Sequence, residues 1–100
     1  MPDTYRVRIS PRALADLEQI FAYVRRHSPQ NAASVIEKLI DAIGGLDILP
    51  HRFDVPRTGT VRGRQVRSMP VRPYLVRYRI DETTKAVYVI RVRHGARRRP

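Results

Sequence analysis

The residues best equipped for chemistry are arginines set into strand-like runs. Arg77 and Arg79 lie in Tyr74-Leu-Val-Arg-Tyr-Arg-Ile80, and Arg91 and Arg93 in Ala86-Val-Tyr-Val-Ile-Arg-Val-Arg93. A guanidinium stays charged at any ordinary pH, so its chemistry is to grip anions through several N–H groups rather than to move protons. Proton transfer near neutrality falls to three histidines, His27, His51 and His94. His27 reads as a helix C-terminal cation and His51 as a loop residue. His94 follows Arg91 and Arg93 and precedes Arg97, and such cations oppose a further positive charge, so it is the candidate base. There is no cysteine, which excludes disulfides, thiolate chemistry and Cys-ligated zinc. The histidines are far apart and share no spacing with an Asp/Glu cluster, so neither a metal nor a cofactor is expected. Gly44-Gly45 alone is too weak a signal for a phosphate-cradling loop.

The charge is unevenly placed. Residues 1–60 hold eight Lys/Arg against seven Asp/Glu, whereas residues 61–100 hold twelve against two. A net charge of +11 calls for an acidic partner: a nucleic acid, a ribosome, or a protein that neutralises this one. The competing reading is a solvated basic surface that confers solubility. One hundred residues suit a single domain over 1–100, with a basic tail from about residue 95. The N-terminus shows no apolar run after its charges, so the expectation is a soluble, cytoplasmic protein with no membrane partner.

Tyr5-Arg-Val-Arg-Ile9 alternates as a half-buried strand does. Ser10-Pro11 and Ser28-Pro29 each pair an N-cap hydroxyl with proline at the first helical position, so each should start a helix. The first carries Leu14, Leu17, Phe21 and Val24 as an apolar stripe, with Arg12, Asp16, Glu18 and Gln19 mostly opposite; the second carries Ala32, Ile36, Leu39, Ile40 and Ile43. Pro50 ends the second helix. Residues 51–63 read as a loop, residues 64–69 as a weaker strand, and residues 74–80 and 86–94 as strands of a hairpin. The predicted class is α+β: an N-terminal strand, an antiparallel helical hairpin, then a three-stranded antiparallel meander forming one sheet with the first strand, helices on one face. Alternation puts Tyr74, Val76, Tyr78, Ile80, Tyr88, Ile90 and Val92 inward. It leaves Arg6, Arg8, Leu75, Arg77, Arg79, Arg91 and Arg93 on the open face.

A series of short segments, read in order, resembles the RelE/ParE superfamily of toxins: Pro11-Arg-Ala13 with Asp16-Leu17, Tyr23-Val24, Leu49-Pro50, Pro73-Tyr74 with Tyr78-Arg79, and Val92 with His94-Gly-Ala-Arg97. The likeness runs from about Tyr5 to Arg97. It implies the toxin of a two-gene module, neutralised by an acidic cognate antitoxin that wraps it in a hetero-oligomer.

The superfamily holds two activities. One is ribosome-dependent cleavage of messenger RNA, which here would rest on Arg64, Arg67, Arg77 and His94. The other is non-catalytic poisoning of DNA gyrase, which blocks replication. Nuclease members tend to carry an aromatic near the C-terminus and several lysines; this chain has no aromatic after Tyr88 and only Lys38 and Lys85. The expectation is therefore a gyrase inhibitor with no catalytic residue. Ile20, Tyr23, Leu75, Arg77, Arg79, Arg91 and Arg93 are candidates for the antitoxin contact, and Arg91, Arg93, Arg97 and Arg98 for the target. A plain DNA-binding domain is the third reading, but no helix carries clustered base-reading residues.

Overall fold

The computed structural model describes residues 3–56, 60–61 and 63–95. Its elements are β1 (Arg6–Ile9), α1 (Pro11–His27), α2 (Pro29–Gly44), β2 (Thr60–Val61), β3 (Arg64–Gln65), β4 (Arg67–Val71), β5 (Tyr74–Asp81) and β6 (Ala86–His94), with short 3₁₀ turns at Gly45–Asp47 and Pro50–Arg52. The main sheet runs β1-β6-β5-β4, antiparallel except for the parallel pair β1 and β6. A parallel neighbour requires a crossover, and the intervening helical hairpin covers one face of the sheet on the way. Both proline-led helix starts are present, although the Ser28 hydroxyl, unlike that of Ser10, makes no capping bond. The Ser10 hydroxyl accepts the Ala13 N–H at 3.0 Å and donates to the Ile90 carbonyl at 3.3 Å, so one N-cap also anchors α1 to β6.

The core lies between sheet and helices. Val76, Tyr78, Val87, Val89 and Val92 pack with Ala13, Leu17, Leu39, Ile43 and Leu46. Tyr78 is fully buried, and its hydroxyl donates to the Pro50 carbonyl, which fixes the 3₁₀ turn under the sheet.

Several expectations are corrected. β5 and β6 pair Arg77 with Arg91 and then Tyr78 with Val89, leaving Ile90 as an extra residue in a bulge. Alternation cannot be carried through such an insertion, because one added residue reverses every side chain beyond it. Val87 and Val89 therefore face inward, Ile90 is half-buried, and Tyr88, expected in the core, lies on the open face under the Arg79 guanidinium. On α1 the buried residues are Ala13, Asp16 and Leu17, whereas Leu14 and Phe21 are 50% and 37% exposed. The helix is thus rotated from its most apolar arc, because its hold on β6 runs through Asp16. On α2, Ile40 is likewise exposed. The predicted strand at 64–69 is divided: β3 pairs with β2 as a separate two-stranded ribbon, and β4 joins the main sheet.

Candidate functional site

β6 outruns β1. Their last pairing joins Ile9 to Val89, after which the chain turns into α1 and the edge of β6 loses its strand neighbour. Asp16, one and a half turns into α1, covers that edge. Its carboxylate accepts the Val92 N–H at 2.8 Å and the Arg91 Nε–H at 2.9 Å, with Arg91 Nη2 at 3.4 Å. A carboxylate is rarely buried unless it is paired in this way.

This junction forms one side of a cleft of about 700 Å³. From α1 it is lined by Asp16, Gln19, Ile20 and Tyr23, and from the sheet by Leu75, Arg77, Arg91 and Arg93. Tyr74, His94 and Gly95 also line it. The Tyr74 and His94 rings meet edge to face at 5.5 Å. Burial, and then the nearby Tyr23, raise the Tyr74 hydroxyl above its ordinary pKa, so it stays protonated. Gly95 lies close against β5: its N–H donates to the Pro73 carbonyl at 2.7 Å, and a Cβ there would lie 3.2 Å from Leu75 Cγ. Tyr23 is 57% exposed, a large apolar surface offered to solvent beside Arg77 and Arg93.

A second cleft, of about 460 Å³, is lined by His51, Arg64, Gln65, Arg67, Arg79 and Glu82, among others. Arg67 and Glu82 are engaged at its wall. Arg67 donates to the Phe53 carbonyl at 2.6 Å and the His51 carbonyl at 3.3 Å, which ties the 3₁₀ turn to β4. Glu82 lies 2.6 Å from His51 Nε2 and accepts from the Tyr5 hydroxyl at 2.9 Å and Lys85 Nζ at 3.1 Å. The Lys85 and Tyr5 hydrogen bonds hold its carboxyl below the usual range. Hydrogen bonds that the Lys85 ammonium donates to Asp3 and Glu82 raise its pKa above the ordinary value.

The structure thus sorts the residues singled out from sequence. Ile20, Tyr23, Leu75, Arg77, Arg91 and Arg93 line the first cleft, and Arg79 lines the second. Of the four nuclease candidates, Arg77 and His94 line the first and Arg64 and Arg67 the second. Arg97 and Arg98 lie outside the described residues. Tyr74 and Asp16 are among the cleft residues that were missed; Asp16 reads by periodicity as a solvent-facing carboxylate, and its only signal was its place in the Pro-x-Ala-x-x-Asp-Leu segment. Among the described residues no group of three or more His, Cys, Asp and Glu side chains could hold a metal.

Residues 7–99 match the model of the ParE toxin of type II toxin–antitoxin systems. The chain belongs to the ParE toxin family. Toxin RelE2 of Caulobacter vibrioides is 35% identical over 86 residues, which are 86% of this chain and 90% of that protein. Among solved structures, the chromosomal ParDE system of P. aeruginosa superposes with a TM-score of 0.73 at 19% identity, covering 91% of this chain and 96% of that one. The RelBE2 toxin–antitoxin complex of Mycobacterium tuberculosis gives 0.64 at 28% identity, covering 95% of each chain. This ParE-family chain is therefore a type II toxin of the RelE/ParE superfamily, with the fold its relatives share.

Proposed function

We propose that this toxin acts by binding DNA gyrase and trapping it on cleaved DNA in the cytoplasm, and that a cognate acidic antitoxin silences it by lying in the cleft between α1 and the end of the sheet. Cleavage of RNA through its 2′-hydroxyl needs a base, cations at the phosphorane and an acid within reach of one phosphate. The observation that carries the reading is the engagement of Arg67: its guanidinium holds the carbonyls of the turn at His51 and Phe53, in a different cleft from His94. Arg91 is likewise held by Asp16. A binding function needs no such convergence.

The first cleft suits a partly disordered acidic segment that folds as it binds. Such a segment needs apolar anchors and cations together, and Ile20, Tyr23 and Leu75 supply the former beside Arg77 and Arg93.

The test is to titrate the purified toxin into a gyrase supercoiling reaction on plasmid DNA. Accumulation of linear, protein-linked product is the expected result. Unchanged supercoiling at a large excess of folded toxin overturns it and favours ribosome-dependent cleavage of messenger RNA, with Arg77 and His94 as its core.

A further inference from the structure

The outer side of the helical hairpin, away from both the sheet and the cleft, carries an apolar stripe that the described residues leave uncovered. On α1, Leu14, Glu18, Phe21 and Arg25 recur at spacings of four, three and four, and all are exposed. On α2, Ala33, Glu37, Ile40 and Gly44 repeat both the spacing and the exposure. The helices are joined through Ser28 alone and pack against each other, so the two stripes run side by side. The cleft uses a different side of α1, the one bearing Asp16, Gln19 and Tyr23.

Charge on this side runs against that of the molecule. It holds three carboxylates, Glu18, Glu37 and Asp41, against the guanidinium groups of Arg25 and Arg26, in a chain of net charge +11. Arg12 keeps step with Gln19 and Tyr23 on the cleft side, and Lys38 falls on the far flank of α2. Among the described residues none of the five is in an ion pair, and Glu37 and Asp41, one turn apart, repel each other. The signs are also separated lengthwise. Arg25 and Arg26 occupy the last turn of α1 beside Ser28, whereas Glu37 and Asp41 lie toward the other end of the hairpin, with Phe21 between. Such a face is complementary to itself after half a rotation.

We propose that the outer side of the hairpin is a self-association surface, and that its occupant is a second copy of this chain, packed across a two-fold axis near Phe21. Arg25 and Arg26 of each copy then face Glu37 and Asp41 of the other, in a four-helix layer. Phe21 meets its symmetry mate, and the arginine stems cover Leu14 and Ile40. An acidic partner fits this side less well, because the three carboxylates repel it while the cleft offers cations. Two helices of this length, each about 25 Å long and roughly 10 Å wide, give a footprint of about 500 Å² per copy. A standard interface takes about 800 Å² per partner, so the pair is weak, with a Kd on the order of 10–100 μM. The inference does not rest on gyrase as the target.

The experiment is sedimentation equilibrium of the full chain over a concentration series spanning that range, with melting curves to verify that every variant is folded. Wild type should rise from the monomer mass toward twice that value. Phe21→Ser should weaken association about tenfold by removing the central anchor. Arg25→Glu/Arg26→Glu and Glu37→Lys/Asp41→Lys should each be monomeric by itself, because the face becomes acidic or basic at both ends. An equimolar mixture of these two should recover the dimer. Net charge does not explain a loss in Arg25→Glu/Arg26→Glu, since that variant lowers it. A wild type that stays monomeric throughout overturns the proposal and leaves the face to a different protein. A dimer that survives all three variants overturns it by assigning association to another surface, and so does a mixture that fails to recover the dimer. No topoisomerase is present, so the outcome is separate from that of the gyrase titration.

Discussion

The carboxylate of Asp16 lies 2.9 Å from Arg91 Nε, joining residues 75 positions apart in sequence. The same carboxylate takes the Val92 amide, so α1 is latched to the edge of β6 through one side chain that is almost wholly buried. Replacing Asp16 by Ala strands a guanidinium and a backbone N–H at once. The expected cost is about 2–3 kcal/mol in urea unfolding. Arg91→Ala should cost less, because Asp16 retains the amide, and the double variant should show coupling between the two sites. Equal single effects that add without coupling would refute the latch.

Gly95 is required by space. An added Cβ would meet Leu75 Cγ at 3.2 Å and the Pro73 carbonyl at 3.3 Å, so Gly95→Ala should cost about 1 kcal/mol and Gly95→Val more. Shortening the obstructing side chain tests the cause: in a Leu75→Ala background, adding Gly95→Ala should cost less than it does alone. Unfolding midpoints of the four proteins would measure this.

Tyr78 links the sheet to the turn at Pro50, and burial raises its hydroxyl above the ordinary 10.0. A raised native pKa means that the unfolded chain gives up its proton first. The contribution is therefore intact below about pH 10 and is lost as pH rises through the native value. Tyr78→Phe should cost about 1–2 kcal/mol at neutral pH by leaving the Pro50 carbonyl without its partner. Its stability should also fall less steeply than that of wild type above pH 10, as read from melting temperatures against pH.

Glu82 governs the acid side. Its carboxyl is held below the ordinary 4.5, chiefly by Lys85 and Tyr5, so its contribution is present above that value and fades as pH falls through the native one. Glu82→Gln should therefore flatten the acid limb of the stability curve, and it should also lessen the loss on the alkaline side, where Lys85 and Tyr5, both raised by Glu82, give up their protons. The wild-type effect should shrink in high salt, because the group is solvent-exposed.

His94 is the sharpest divider between the two activities. Under the gyrase reading its ring packs against Tyr74 and moves no proton, so His94→Gln, once shown to be folded, should arrest growth as wild type does. Loss of arrest with intact binding of the antitoxin would favour the nuclease.

The local rules read well from sequence. Each proline after a serine began a helix, and the alternation of β5 correctly placed Val76 and Tyr78 inside and Arg77 and Arg79 outside, because capping and a period of two depend only on near neighbours. The ordered segments from Pro11 to His94-Gly-Ala-Arg97 also carried the family. What the sequence could not determine were the features set by contacts between distant segments. The bulge at Ile90 arises where β6 changes register against β5, and it alone turned Tyr88 from the core to the open face beside Arg8 and Arg79. Asp16 reads as a solvent-facing carboxylate until β6 supplies a guanidinium and an amide to bury it. Arg67 reads as one more sheet cation until the carbonyls of His51 and Phe53 claim it. In each case the side chain's role follows from a partner at least 14 residues away in the chain, and only tertiary packing brings that partner into reach.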